Sequence, residues 1–292
     1  MISIAVASGK GGTGKTFVAT NMFNALLQKG EKCHLVDCDA EAPNSVAFFK
    51  ATELRRNRVT QPVPVIDTSK CTYCGLCHDY CNYNAIFILP HISFIQVITD
   101  LCHSCGVCTV ACKYNAISET DVTLGEVISY TFRGEPRITE ASMNTGVMSP
   151  VSVIKKAIRE TDDMSGTVIF DAPPGTSCPF IQTVARADYT ILVTEPSPFG
   201  LSDLKQSAET LLSMGKPFGV IINRSGTGNR DVYKYLEDAK IPLLLEIPFR
   251  KETAELYSEG KLLSDSDNVF SEQLSETAKT IAASYGNSGN KR

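Results

Sequence analysis

Two groups of residues in this chain have the type and spacing to do chemistry. The first is Gly9-Lys10-Gly11-Gly12-Thr13-Gly14-Lys15-Thr16. The spacing Gly9-x-x-x-x-Gly14-Lys15-Thr16 fits a phosphate-binding loop. Its glycines let successive backbone N–H groups turn toward an anion, Lys15 reaches the β- and γ-phosphates, and the Thr16 hydroxyl is offered to Mg2+. The second group is a repeat. Cys71, Cys74, Cys77 and Cys81 recur as Cys102, Cys105, Cys108 and Cys112 with identical gaps, and both copies end in Tyr-Asn-Ala-Ile. Thiolates at these gaps fit two iron–sulfur clusters, with zinc as the alternative. His78 and His103 stand beside the cysteines but off the ligand spacing, and read as loop residues.

The elements that must position these groups follow from the apolar pattern. Ile2–Ala7 is a continuous apolar run, as expected of a strand buried on both faces. A helix is expected from Thr16 to Gln28, with Phe17 at its start, and a second strand over Lys32–Val36. That strand ends in Asp37-Cys38-Asp39, whose two carboxylates alternate onto one side, toward the glycine loop. Asp37 is placed to support Mg2+ through water. Thr167–Asp171 is a further buried strand, followed by Ala172-Pro173-Pro174-Gly175-Thr176. Here Asp171 would accept from a Mg2+-bound water, and Gly175 would let the backbone meet the γ-phosphate. Strands over Tyr189–Val193, Phe218–Ile222 and Leu243–Ile247 complete the pattern. Asn223 and Arg224 end the second of these, and Pro248 and Phe249 follow the third, where they would wall a bound base.

Between these halves, Phe48 to Gln61 reads as a connector and Pro62-Val63-Pro64 as a boundary. Glu119–Ile138 reads as short strands or a hairpin returning to the main body, and Pro150 opens a helix to Arg159. The expected fold is α/β, a doubly wound and mainly parallel sheet, with a small α+β domain inserted in it. The expected domains are 1–61 with 119–292, and 62–118.

Composition narrows the function classes. At 292 residues the chain is long enough for one large domain and a small insert, and 43% hydrophobic with 21% charged residues is ordinary for a globular protein. A net charge of −4 gives no argument for nucleic acid or an anionic membrane. No apolar run has the length of a membrane span, and the strand begins too near Met1 for a signal peptide, so a cytoplasmic location is expected. Eleven cysteines would be unusual there as disulfides, which favours metal or redox chemistry. Cys33 and Cys38 lie on or beside a strand and read as core. The last helix, Val269–Tyr285, carries Phe270, Leu274 and Ile281 on a narrow face and is followed by a polar tail, Gly286–Arg292, which reads as packing rather than membrane attachment.

The form Lys10-Gly11-Gly12-Thr13-Gly14-Lys15-Thr16 resembles the deviant Walker A motif of the ParA, MinD, Mrp and nitrogenase-iron-protein ATPases. The Asp171–Thr176 stretch resembles Mrp-type members, and the cysteine repeat resembles bacterial ferredoxins. Taken together, the chain is similar along nearly its whole length to MinD-superfamily P-loop ATPases carrying an inserted ferredoxin domain. The resemblance implies ATP and ADP as ligands with Mg2+, and a homodimer formed on ATP binding. It implies that Lys10 reaches the partner's nucleotide, that Asp39 in switch I orients the attacking water, and that Asn223 reads the adenine edge. It also implies two 4Fe–4S clusters with crossed ligands: Cys71, Cys74, Cys77 and Cys112 on one, and Cys102, Cys105, Cys108 and Cys81 on the other. In that pattern the fourth cysteine starts a helix, and Gly75 and Gly106 allow backbone N–H groups close to cluster sulfur. The proline usual after the fourth cysteine is replaced by Asn82 and Lys113. Cys178 stands at the offset where the nitrogenase iron protein ligates a shared cluster. It reads as an intersubunit metal or redox site or, alternatively, as a small buried residue.

Three functions are then open. One is an ATP-gated electron carrier serving a redox partner. A second is a factor that assembles or inserts metal clusters into an acceptor protein. The third, a positioning ATPase like MinD or ParA, is disfavoured by the acidic charge and the lack of a basic surface helix.

Overall fold

The computed structural model describes Met1–Gly286; the rest of the polar tail, 287–292, lies outside the described residues. The chain divides into two compact units, one of Met1–Asn57, Val127–Ser142 and Pro150 onward, the other of Arg58–Glu126 with Met143–Ser149.

The larger unit begins with strand β1 (Ile2–Ala7), the glycine loop, helix α1 (Lys15–Gln28) and strand β2 (Cys33–Asp37). Strand β3 (Thr52–Ile66) carries the chain into the second unit. That unit holds α2 (Leu76–Asp79), β4 (Ile86–Leu89), β5 (Phe94–Val97) and α3 (Val107–Ala111). Strand β6 (Ile117–Phe132) returns, and β7 (Glu135–Met143) follows through a two-residue turn. Both turn residues, Arg133 and Gly134, have positive φ, as a tight hairpin requires. Next come α4 (Val151–Arg159), β8 (Thr167–Asp171), α5 (Cys178–Arg186) and β9 (Tyr189–Thr194). The chain ends with α6 (Pro198–Ser213), β10 (Phe218–Ser225), α7 (Asp231–Asp238), β11 (Leu243–Pro248), α8 (Lys251–Ser258) and α9 (Asn268–Tyr285).

The main sheet has the order β11-β10-β9-β1-β8-β2-β7-β6-β3. From β11 to β7 every neighbouring pair is parallel. β1 and β9 are buried along their whole length, because strands covered on both faces carry no polar side. Helix α1 is buried from Phe17 to Leu27, since α9 covers it with Phe270, Leu274, Ala278 and Ile281. The last helix is therefore a packing element, as its narrow apolar face implied.

One expectation is corrected. The stretch 48–61 is not a connector: its greater part lies in β3, and Pro62 and Pro64 lie inside that strand. β3 stands at the end of the strand order, where a missing N–H breaks no ladder on the open side. Its residues Glu53 to Arg56 are exposed, so no alternation marked it in the sequence.

The second unit has a small core. Cys77, Ile86 and Ile117 are buried there, with Ile66, Ile95, Cys108 and Cys112 packed against them. The two Tyr-Asn-Ala-Ile endings explain this symmetry, because Ile86 opens β4 and Ile117 opens β6. β4 and β5 form a separate antiparallel hairpin.

Candidate functional site

In the larger unit the expected residues gather at the C-terminal ends of β1, β2, β8, β9 and β10. Gly14 precedes α1 with φ 99°, and a Cβ there would run into the Asn223 amide. Only glycine satisfies both conditions. Asn223 lies within β10 rather than past it, and its Nδ2 donates to the Thr13 carbonyl at 2.8 Å while its Oδ1 accepts from Arg224 N–H. The side chain expected on a base therefore clasps the loop. Arg224 donates to the Gly12 carbonyl at 3.3 Å and pairs with Glu195 at 2.7 Å. Lys10 pairs with the other oxygen of Glu195 at 2.9 Å. Glu195, which sequence reasoning passed over, thus joins the loop lysine to β10.

Lys15 is buried, and burial lowers its pKa against the pull of Asp171, Asp39 and Asp37. Asp37 and Asp171 sit opposite each other at the ends of β2 and β8, both fully enclosed. Burial raises both carboxyls, and the charge of Asp37 raises Asp171 further. Asp39 is pushed up to about 6 by burial and by Asp37. Asp37 accepts backbone N–H groups from Asp39, Asn44 and Ser45. Asp171 Oδ2 accepts from the Ser45 hydroxyl at 2.9 Å, yet its Oδ1 has no protein partner, and the nearby Thr16 side chain pulls its pKa down. Three crowded carboxylates around one lysine, with an orphaned carboxylate oxygen and a threonine hydroxyl at hand, fit a divalent cation.

Other expected residues are placed less directly. Gly175 has φ 91° and donates its N–H to the Ser8 carbonyl. The Phe17 ring is in the core, stacked on Phe270 with centroids 5.7 Å apart, so only its backbone is open to a ligand. Ser225 is in register with Pro248, and Phe249 N–H donates to the Ser225 carbonyl, which brings Pro248 and Phe249 beside the Asn223 strand end. Cys178 opens α5 and is exposed, which overturns the reading of it as a small buried residue. Cys33 and Cys38 are core residues, as expected.

In the second unit the eight cysteines line two cavities. One has Cys71, Cys74, Cys77 and Cys112 in its wall. The other has Cys102, Cys105, Cys108 and Cys81. The backbone repeats as closely as the sequence. Tyr73 and Ser104, Gly75 and Gly106, Asn84 and Asn115 all take positive φ. Tyr73 and Ser104 N–H groups donate to Cys71 and Cys102 sulfur, both at 3.4 Å. Ala85 and Ala116 N–H groups donate to Cys81 and Cys112 sulfur at 3.3 and 3.4 Å. Asparagine before those alanines tolerates the left-handed turn that aims the N–H back.

One detail differs from expectation. Cys81 and Cys112 lie just past the ends of α2 and α3 rather than starting helices. Gly75 and Gly106 take positive φ, and a Cβ on either would meet protein atoms only at 3.9 and 3.6 Å. His78 Nδ1–H donates to the Ile86 carbonyl, and His103 stacks on Tyr83, so both serve the loops. Among the described residues, no three His, Cys, Asp or Glu side chains converge to ligate a metal ion directly.

A glycine loop between a buried strand and a helix, with aspartates at neighbouring strand ends, defines a P-loop nucleotide-binding α/β protein. The chain belongs to the CobQ/CobB/MinD/ParA nucleotide-binding domain family, whose model matches residues 4–263. This is a family of MinD/ParA-type P-loop ATPases, consistent with ATP hydrolysis. The chain is 28% identical over 267 residues to an uncharacterised protein of Methanocaldococcus jannaschii, covering 89% of this chain and 91% of the relative. A 57-residue segment, 20% of this chain and 15% of the relative, is 47% identical to an iron–sulfur cluster carrier protein of Aquifex aeolicus. The septum site-determining protein MinD of Pyrococcus horikoshii, solved with Mg-ADP, superposes with a TM-score of 0.58 at 19% identity. The superposition covers 96% of this chain and 95% of that one, a likeness of fold. Among the described residues no helix is long and apolar enough to cross a membrane.

Proposed function

We propose that this ATPase is an iron–sulfur protein, a nucleotide-gated homodimer that couples ATP turnover to electron transfer through two 4Fe–4S clusters. The observation that carries the reading is the pair of cavities, each walled by three cysteines of one repeat and the fourth of the other. Thiolates spread around such a wall, with backbone N–H groups already aimed at four sulfurs, suit a cubane better than one zinc ion. The domains follow as an ATPase body and an inserted ferredoxin-like domain. When bound, the clusters supply one-electron steps, passing electrons from a donor protein to a redox partner.

In the ATPase body the glycine-loop N–H groups and Lys15 hold the phosphates of ATP or ADP, and Pro248 and Phe249 flank the base. Mg2+, when bound, supplies charge to the β- and γ-phosphates, held through Thr16 and the waters that Asp37 and Asp171 accept. Asp39 orients the attacking water, and Lys10 serves the partner's nucleotide. Connectivity supports coupling: β3 leaves the body soon after Asp39, and the chain returns before Asp171. A nucleotide that reorders these switch segments therefore pulls on both strands leading to the cysteine unit.

Anaerobic purification with iron and sulfide assay, followed by EPR with ADP and with a non-hydrolysable ATP analogue, tests this. About eight irons per chain, with reduced-cluster signals that shift on the ATP analogue, is the expected result. Spectra indifferent to nucleotide defeat the coupling. A cluster-delivery role is the second reading, favoured by the exposure of Cys178 and the partial likeness to a cluster carrier. It requires iron above eight that passes to an apo-acceptor and is lost in Cys178→Ala.

A further inference from the structure

Ser45 lies in the short turn after the switch I aspartates and is fully buried. Its backbone N–H donates to Asp37 Oδ2 at 2.8 Å, and its hydroxyl donates to Asp171 Oδ2 at 2.9 Å. One residue thus spans the two carboxylates that close β2 and β8. The consequence for Asp171 is geometric. With Oδ2 occupied by the Ser45 hydroxyl, the other oxygen, Oδ1, is the one left without a protein partner. That is the oxygen available to a cation's water.

We propose that Ser45 is a positioning residue that fixes Asp171 for the Mg2+ of the nucleotide and ties that geometry to the switch I segment. Asp37 and Asp171 are adjacent anions in register across two strands, and without a donor between them each would turn away from the other. The Ser45 hydroxyl supplies a donor to one, and its N–H a donor to the other. Because both donors belong to the turn at Ser45–Phe48, Mg2+ held through Asp171 and closure of switch I favour each other. A hydroxyl buried against a carboxylate also explains why serine, rather than alanine, occupies a fully enclosed position. The inference rests on the Mg2+-nucleotide reading of the glycine loop.

The test is calorimetric. ADP binding to the full-length chain is measured with Mg2+ and with EDTA, for the parent protein and for Ser45→Ala. In the parent, Mg2+ strengthens ADP binding; if it does not, the nucleotide reading falls and this proposal with it. In Ser45→Ala, affinity in EDTA stays within about twofold of the parent, while the Mg2+-dependent gain shrinks by about tenfold, the size of a lost hydrogen bond to a charged group. Ser45→Thr, which keeps the hydroxyl, restores the gain. Equal weakening with and without Mg2+, or an unchanged Mg2+ gain, overturns the proposal. If Ser45→Ala does not fold, Ser45→Cys gives the same ratio, since a thiol fills the space but donates weakly.

Discussion

Glu195 holds two cations at once, Lys10 at 2.9 Å and Arg224 at 2.7 Å, and the glutamate is mostly enclosed. Lys10, the residue proposed to serve a partner's nucleotide, is therefore retained by its own chain. Removing the anion should release it. Glu195→Gln is expected to favour the ATP-analogue dimer by about fivefold, the scale of one partly exposed ion pair, read by sedimentation. Lys10→Ala should abolish that dimer in either background. Asn223 belongs to the same set of contacts. An asparagine at a strand end looks free to meet a base, yet its amide is used on Thr13. Nothing local in the sequence marks a partner 210 positions away in the chain.

At the scale of elements, the cysteine repeat makes a sharper claim than its spacing. The short helices α2 and α3 deliver Cys81 and Cys112 to opposite cavities, so each loop depends on the other's fourth cysteine. Cys81→Ser is expected to cost about four irons, and the cluster lost should be the one on Cys102, Cys105 and Cys108. Iron assay with EPR of Cys81→Ser beside Cys102→Ser checks this: the two variants should keep the same remaining signal. If Cys81→Ser instead matches Cys71→Ser, the wiring is within repeats. The repeat was readable because ligand spacing is local. β3 was not, because an exposed edge strand with charged side chains and two prolines shows neither alternation nor an apolar run.

For the whole molecule, the two units differ in what can hold them together. The larger has an extended apolar core built on α1, the central strands and α9. The smaller has a core cluster of only Cys77, Ile86 and Ile117, with Ile66, Ile95 and two more cysteines packed against it. A unit of that kind draws its stability from whatever its thiolates ligate. Stripping iron with a chelator after oxidation should therefore make 58–126 sensitive to protease while the remainder stays resistant and still binds MgADP. Limited proteolysis read by mass spectrometry checks this; equal resistance of the stripped and intact chains would show that the small core suffices alone.

What the sequence alone determined was whatever depends on residues close in the chain. The glycine loop and its flanking strand and helix, the aspartates at strand ends, the repeat of cysteines, and the parallel α/β class all follow from local spacing and apolar period. Tertiary structure decided the rest. It set which oxygen of Asp171 is left open, that Ser45 spans two carboxylates, that Glu195 retains Lys10, and that Cys178 is exposed. These are pairings between segments far apart in the chain, and their geometry comes from strand order and register, which no local pattern encodes.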